Sequence, residues 1–216
     1  MCNVTVDQFY GIEIEPHAAH IARVAMWITD HQLNMVTAER FGTTRPTTPI
    51  TYSPHIVEGN ALKIDWKEVL PANECDFVMG NPPFIGKNQQ NKEQRSDMLQ
   101  VAKEIKGNRN LDYVTAWYIK AMHYMLSVNQ DNHHIETAFV STNSIVQGEQ
   151  VSILWKYLLE DCGAHINFAH HTFKWNNEGK GVAAVHCIII GYSTVEHKEK
   201  TLFKYDDVSS EPKPNK

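Results

Sequence analysis

The residues with the clearest capacity for chemistry are Asn81-Pro82-Pro83-Phe84. Consecutive prolines fix φ near about −65° and donate no N–H. The residue ahead of a proline is pushed into an extended conformation. Asn81 is therefore held extended, directly after Asp76-Phe77-Val78-Met79, which reads as a short buried strand. A loop this stiff presents the Asn81 side-chain oxygen and the Pro82 carbonyl as two fixed acceptors, with the Phe84 ring as a flat apolar face beyond them. Two acceptors beside an aromatic plane suit a planar –NH2 group carried on a ring. Taken alone, the four residues are more safely read as an ordinary proline-rich turn, so their surroundings carry the decision.

The elements around the loop form a repeating pattern. Gln8–Ile14 reads as a strand, and Pro16 then opens a helix reaching about His31, with Ile21, Val24, Ala25 and Ile28 at helical spacing. Glu13 sits at the carboxyl end of that strand, the place where open α/β sheets put their ligands. An acid there accepts hydrogen bonds from both hydroxyls of a ribose, or is simply solvated. Phe41–Pro54 is rich in Thr and Pro and reads as an irregular surface loop. Ile56-Val57 is a short strand that turns out through Gly59-Asn60-Ala61. Asn60 is placed either to meet the edge of a nucleobase or to serve the turn.

Lys92–Ile105 reads as a polar helix, a solvated surface element or a flap. Leu111-Asp112-Tyr113 opens a stronger helix, with Val114, Trp117, Tyr118, Ala121 and Met125 on one face and Asp112 as its N-cap. Ile135–Ser141 is a buried strand, and Gly148–Leu159 a helix turning Val151, Leu154, Trp155 and Leu158 inward. Ala164–Ala169 is a strand, and His171–Gly181 a loop that carries Phe173, Trp175 and a flexible Glu178–Gly181. Val182–Ile190 is a long apolar strand, and Phe203–Tyr205 adds an edge. Alternating strands and helices predict an α/β fold with a mostly parallel sheet, helices on both faces and a terminal antiparallel hairpin at its edge. One domain over 1–208 is expected, followed by a polar linker or disordered tail over 209–216.

Composition narrows the functional classes. A chain of 216 residues, 42% hydrophobic and 21% charged, has the means for a sizeable core. No apolar run is long enough to span a bilayer, so no membrane role is expected and a cytoplasmic location is. The cysteines Cys2, Cys75, Cys162 and Cys187 are far apart and read as reduced thiols. Cys162, His165, His170, His171, His186 and Cys187 match no standard zinc spacing, so no metal is expected. A net charge of −5 is unlike a domain that grips a duplex by its phosphates, so any such grip is expected from another part of the protein.

Five motifs occur in one order: Gly11-Ile12-Glu13-Ile14-Glu15-Pro16, Gly59-Asn60-Ala61, Gly80-Asn81-Pro82-Pro83-Phe84, Ser141-Thr142-Asn143-Ser144 and Phe173-Lys174-Trp175. This order resembles the gamma-type N6-adenine DNA methyltransferases, and among them the MmeI-like restriction-modification enzymes, over roughly Phe9 to Tyr192. The resemblance implies a class I, Rossmann-like methyltransferase fold and S-adenosylmethionine as methyl donor. It implies that Glu13 with Ile14 holds the cofactor ribose and that Asn60 with Ala61 meets its adenine, Asn81 also adjoining the cofactor. It implies that Asn81 and Pro82 bind the target amine within the Pro83-stiffened turn and that Phe84 stacks on the target base. Phe173 or Trp175 would brace that base from the other side. Double-stranded DNA is the implied partner, engaged through a recognition domain outside this chain.

The resemblance is incomplete at the start. Met1–Gln8 holds no glycine where the family has its first strand and Gly-rich turn. The chain is therefore expected to be part of a longer enzyme or a non-catalytic remnant, and to bind the cofactor poorly by itself. The strands near Phe9–Ile14 and Asp76–Met79 are expected to lack a neighbour on one side. Methyltransferases acting on RNA or on a protein glutamine amide share this kind of loop. Phe84, where the amide enzymes resemble the motif with tyrosine last, favours adenine.

Overall fold

The computed structural model describes residues 4–42, 52–128, 133–175, 185–207 and 210–215. It divides into two compact units, Met1–Pro71 and Ala72–Lys216. In the first unit, β1 (Tyr10–Glu13) leads through the 26-residue helix α1 (Pro16–Phe41) to β2 (His55–Glu58), and the short helix α2 (Trp66–Val69) follows. β2 pairs parallel with β1, from Tyr10 opposite His55 to Glu13 opposite Glu58. Pro16 starts α1 at a position where no N–H is needed, and Gly42 ends it at φ 69°, a left-handed conformation that glycine adopts without cost. Arg23 fastens α1 to the sheet by donating to the Ile56 carbonyl at 2.7 Å.

The helix runs ten residues past the expected His31 and does not bury its apolar stripe: Ile21, Val24 and Ile28 are each about half exposed. Helical spacing fixes which residues share a face, and says nothing about what covers that face. Of the expected loop over Phe41–Pro54, residues 43–51 lie outside the described residues.

The second unit is built on a six-stranded mixed sheet. Its strands are β3 (Phe77–Gly80), β4 (Glu136–Thr142), β5 (His165–Trp175), β6 (Val185–Ser193), β7 (Thr201–Lys204) and β8 (Lys213–Asn215). Their order is β3-β4-β6-β5-β7-β8. β3 and β4 pair parallel, as do β5 and β7, while β6 runs antiparallel between β4 and β5. The antiparallel β5–β6 pair is the expected hairpin, but β7 and β8 extend the sheet past it. Lys213–Asn215 thus forms an outer strand where composition suggested a linker or tail; residues 209 and 216 lie outside the described residues.

β3 is an end strand of this sheet, and among the described strands its one partner is β4, as β2 is for β1. Expectation and structure part over burial: Phe77 is 69% exposed and Met79 76%. Four apolar residues read as a strand covered on both faces, but the two that share a face, Phe77 and Met79, are the exposed ones.

The core of the second unit gathers around α4 (Thr115–Leu126), which buries Tyr118, Ile119, Ala121, Met122 and Met125. β4 alternates buried and half-buried residues, as a strand with one face on a core must. α3 (Lys92–Val101) is more than a solvated helix or flap, since Asp97 and Met98 are buried and Ala102 follows them inside. Val151–Asp161 is wound as a π-helix, closed by the Cys162 N–H donating to Tyr157 O at 2.9 Å. It buries Leu154, Trp155 and Leu158, while Val151 faces out, contrary to expectation. Cys75 and Cys187 are buried free thiols, and burial pushes the Cys187 thiol up to about 11.

At the centre, Tyr118 and Tyr192 stack with ring centroids 5.5 Å apart. The Tyr192 hydroxyl donates to the Tyr118 carbonyl at 2.9 Å, and the Tyr118 hydroxyl lies 2.7 Å from Ser141 Oγ. Burial raises both phenols well above their ordinary value, so they act here as neutral hydroxyls. A buried hydroxyl stripped of its partner costs about 1–3 kcal/mol. Tyr118→Phe and Ser141→Ala should each destabilise by about that amount, and the double change by less than their sum. Urea unfolding of the four proteins measures this, and strict additivity would remove the Tyr118–Ser141 contact from the account.

Candidate active site

β3 stops at Gly80, and the four residues after it leave the sheet at the carboxyl end of the strand. Asn81 and Pro83 are exposed, Pro82 is buried and Phe84 is half-buried. β4 runs parallel to β3, so its last residue, Thr142, and the short turn Asn143–Val146 come out at the same end of the sheet.

The chain just beyond Phe84 is fixed at successive backbone groups. The Ile85 carbonyl accepts from Tyr113 N–H at 2.9 Å. Lys87 N–H donates to Asp112 Oδ1 at 2.8 Å, and the Lys87 carbonyl accepts from Arg95 Nη2 at 2.7 Å. Lys87 Nζ pairs with Glu149 at 3.1 Å, and Gln90 Nε2 donates to Leu111 O at 3.0 Å. The second oxygen of Asp112 accepts from Ser144 Oγ at 2.6 Å, and Thr142 Oγ1 stands 2.8 Å from that same Oγ.

Asp112 is therefore not the cap of α4. The helix begins at Thr115, with Val114 at the cap position and no side-chain cap there. Its two carboxylate oxygens turn instead to the Lys87 N–H and the Ser144 hydroxyl. Sequence reading missed Asp112, Ser144 and the bracing Gln150 as part of this arrangement. An acidic residue ahead of a helix is the ordinary sign of a cap, and a partner 25 residues upstream leaves no mark on local spacing.

In the first unit, Glu13 closes β1 and is half-buried, with Oε1 accepting from Glu15 N–H at 3.1 Å. Ile14 beyond it is 60% exposed. Asn60 follows β2, and its Oδ1 accepts from Leu62 N–H at 2.9 Å, so the side chain shapes the turn as its plainer reading held. Ala61 is half-buried, and its carbonyl accepts from Trp66 Nε1 at 2.9 Å. Glu13 with Ile14 and Asn60 with Ala61 thus emerge at the carboxyl ends of two paired parallel strands, on one end of one small sheet.

Phe173 and Trp175 are not in a loop. β5 continues to Trp175, with Phe173 opposite Cys187 and Trp175 opposite Val185. The strand absorbs the excess residues in two bulges, between Ile166 and Phe168 and between His170 and Phe173. The flexible stretch Glu178–Gly181 lies outside the described residues. Phe173 is half-buried in an aromatic group, 5.4 Å from the Tyr205 ring. His170 stacks on Phe203 at 4.3 Å, lies 2.8 Å from the Tyr205 hydroxyl through Nδ1, and is lowered from its ordinary pKa by burial. Among the described residues no three His, Cys, Asp or Glu side chains come together as metal ligands would, and no helix is long and apolar enough to cross a membrane.

Comparison with known proteins bears on the same segments. The family model for the MmeI DNA-methyltransferase domain matches residues 1–204. The chain is 43% identical over 205 residues to DNA methyltransferase A of Bacillus subtilis (strain 168), covering 93% of this chain and 23% of that protein. It superimposes on the Type IIL restriction-modification enzyme MmeI, solved in complex with DNA, with a TM-score of 0.89 and 50% identity, over 99% of this chain and 28% of that one. A DrdV–DNA complex shares the fold at a TM-score of 0.50 and 13% identity, over 93% of this chain and 21% of the other. The chain thus spans about a quarter of the length of these relatives. A match along nearly the whole sequence, through every segment described above, establishes that the chain belongs to the MmeI DNA-methyltransferase domain family.

Proposed function

We propose that this chain carries the methyl-transfer residues of a restriction-modification DNA methyltransferase that acts on the exocyclic amine of adenine. The observation that carries the reading is the Asn81–Phe84 loop at the carboxyl end of β3, with the backbone behind it tied down at Ile85 and Lys87. DNA as the substrate rests on the relatives: one is named a DNA methyltransferase, and another was solved in complex with DNA.

The amine of adenine is a poor nucleophile because its lone pair is delocalised into the ring. Asn81 Oδ1 and the Pro82 carbonyl oxygen accept hydrogen bonds from its two hydrogens, which favours a pyramidal nitrogen and returns electron density to it. Acceptors fixed in advance cost no reorganisation when the reaction occurs. The nitrogen so prepared would take a methyl group from a sulfonium donor, which would leave as the neutral thioether, and the amine proton would pass to solvent afterwards. A base inside a duplex is out of reach, so it flips out at a cost of a few kcal/mol. Stacking on Phe84 offsets about 1–3 kcal/mol of this. Phe173, as part of its aromatic group, or Trp175 braces the opposite face.

S-adenosylmethionine is the methyl donor in this reading and supplies an electrophilic methyl on a sulfonium. The residues present fit it: Glu13 is a half-buried carboxylate at a sheet's carboxyl end, and a carboxylate accepts several hydrogen bonds at once. Glu13 and Ile14 would hold its ribose, and Asn60 and Ala61 its adenine. With a net charge of −5, the grip on the duplex falls to other parts of the full-length protein.

In the full-length protein, Asn81→Ala should cut turnover by about 100-fold or more, the typical loss for one such preorganised group. Cofactor affinity, read by calorimetry, should hardly change, and near-normal turnover would sink the assignment. Phe84→Ala should slow methyl transfer more than it weakens folding. A loss of stability as large as the roughly 3–5 kcal/mol of a core Phe→Ala change, seen on thermal melting, would make Phe84 a structural residue instead.

A further inference from the structure

We infer that Asp112 is a positioning residue for the Asn81–Phe84 loop, acting through Lys87 and Ser144. The inference rests on the proposed role of that loop. Asp112 is buried, 8% exposed, and both of its carboxylate oxygens are used. One receives the backbone N–H of Lys87, three residues past Phe84; the other receives the Ser144 hydroxyl. The single carboxylate thus joins three segments: the chain leaving the loop, the lead-in to α4, and the turn that follows β4.

Ser144 donates to Asp112, so the neighbouring Thr142 hydroxyl donates to Ser144, and a relay of hydroxyls runs from the end of β4 to the carboxylate. Asp112 is itself held from behind. Its N–H donates to Gln150 Oε1 at 3.2 Å, while Gln150 Nε2 donates to the Asn110 carbonyl at 2.9 Å. Its carbonyl accepts from the Thr115 hydroxyl at 2.7 Å. A brace fixed on both sides transmits position.

The arrangement answers a specific need. Pro82 and Pro83 have no N–H, so the reacting segment cannot be anchored by donors of its own at those positions. Fixing each backbone residue costs conformational entropy. Hydrogen bonds to an ionised group are among the stronger ones available to offset that cost. Released from Asp112, Lys87 and the residues ahead of it gain freedom, and Phe84 and the Pro82 carbonyl lose their set positions. A misplacement of about 1 Å lowers a rate by about 100-fold.

The test is single-turnover methyl transfer to unmethylated genomic DNA by the full-length protein, with cofactor affinity and urea unfolding measured alongside. Asp112→Ala should slow transfer by about 100-fold with cofactor affinity unchanged. Asp112→Asn should recover most of the rate. Its carbonyl still accepts from Lys87 N–H, and its amide donates to Ser144, whose hydroxyl turns to Thr142. Ser144→Ala, which removes one of the two ties, should be slowed less than Asp112→Ala. Should Asp112→Ala fail to fold, Ser144→Ala decides: slower transfer at unchanged cofactor affinity supports the inference, and the unaltered rate overturns it. Asp112→Ala that unfolds more easily yet transfers at the unaltered rate, or Asp112→Asn as slow as a folded Asp112→Ala, also overturns it. Asn81→Ala in the same assay separates the two levels. If that protein transfers normally, the reading of the loop has failed; if it is inactive while Asp112→Ala is normal, the positioning role alone has.

Discussion

Two prolines in succession impose a condition that the rest of the second unit meets. They stiffen the Asn81–Phe84 segment, but they remove two N–H groups with which a loop is usually tied down. The segment therefore has to be secured from its flanks. On one side β3 pairs with β4 up to Gly80 opposite Phe139. On the other, the Tyr113 N–H, the Asp112 carboxylate and the Arg95 guanidinium hold Ile85 and Lys87. The stiff part is short, and what surrounds it consists of hydrogen bonds to buried or secondary-structure groups.

Apart from Arg95, which belongs to α3, the groups that do the securing adjoin two elements of the core. α4 supplies Tyr118 and its buried neighbours, and the residues leading into it supply Asp112 and Tyr113. β4 supplies Ser141 to the Tyr118 hydroxyl, and continues one residue later into the Thr142–Ser144 relay that meets Asp112. Packing and positioning thus share a scaffold, so a disturbance of the Tyr118–Ser141 contact lies within three residues of the loop's anchor. This is how a static core becomes relevant to chemistry at an exposed asparagine: the core fixes the ends of α4 and β4, and those ends fix the loop.

Much of this was legible in the sequence, for reasons that differ by residue. The turn at Asn81–Phe84 is written in proline, whose effect is local and unconditional, and Glu15-Pro16 announced α1 in the same way. Tyr118 and Met125 were readable as core because periodicity in α4 coincides with burial. Phe77 and Met79 were misread as buried because apolar character does not reveal which face of a strand is covered. Phe173 was put in a loop because the glycines that follow suggested one, yet bulges let β5 run on. Asp112 was misread as a cap because its true partners are 25 and 32 residues away. Long-range pairing of side chains has no signature in local spacing, and the positioning of a site is made of such pairs.

In the proposed function the acceptors of Asn81 and Pro82 act on the amine of adenine. The most direct test is to incubate the full-length protein with unmethylated DNA and S-adenosylmethionine carrying an isotopically labelled methyl group, digest the DNA to nucleosides, and locate the label by mass spectrometry. The account predicts that the label appears in N6-methyldeoxyadenosine. Label confined to a methylated cytosine, or found only in added RNA or protein, would contradict it.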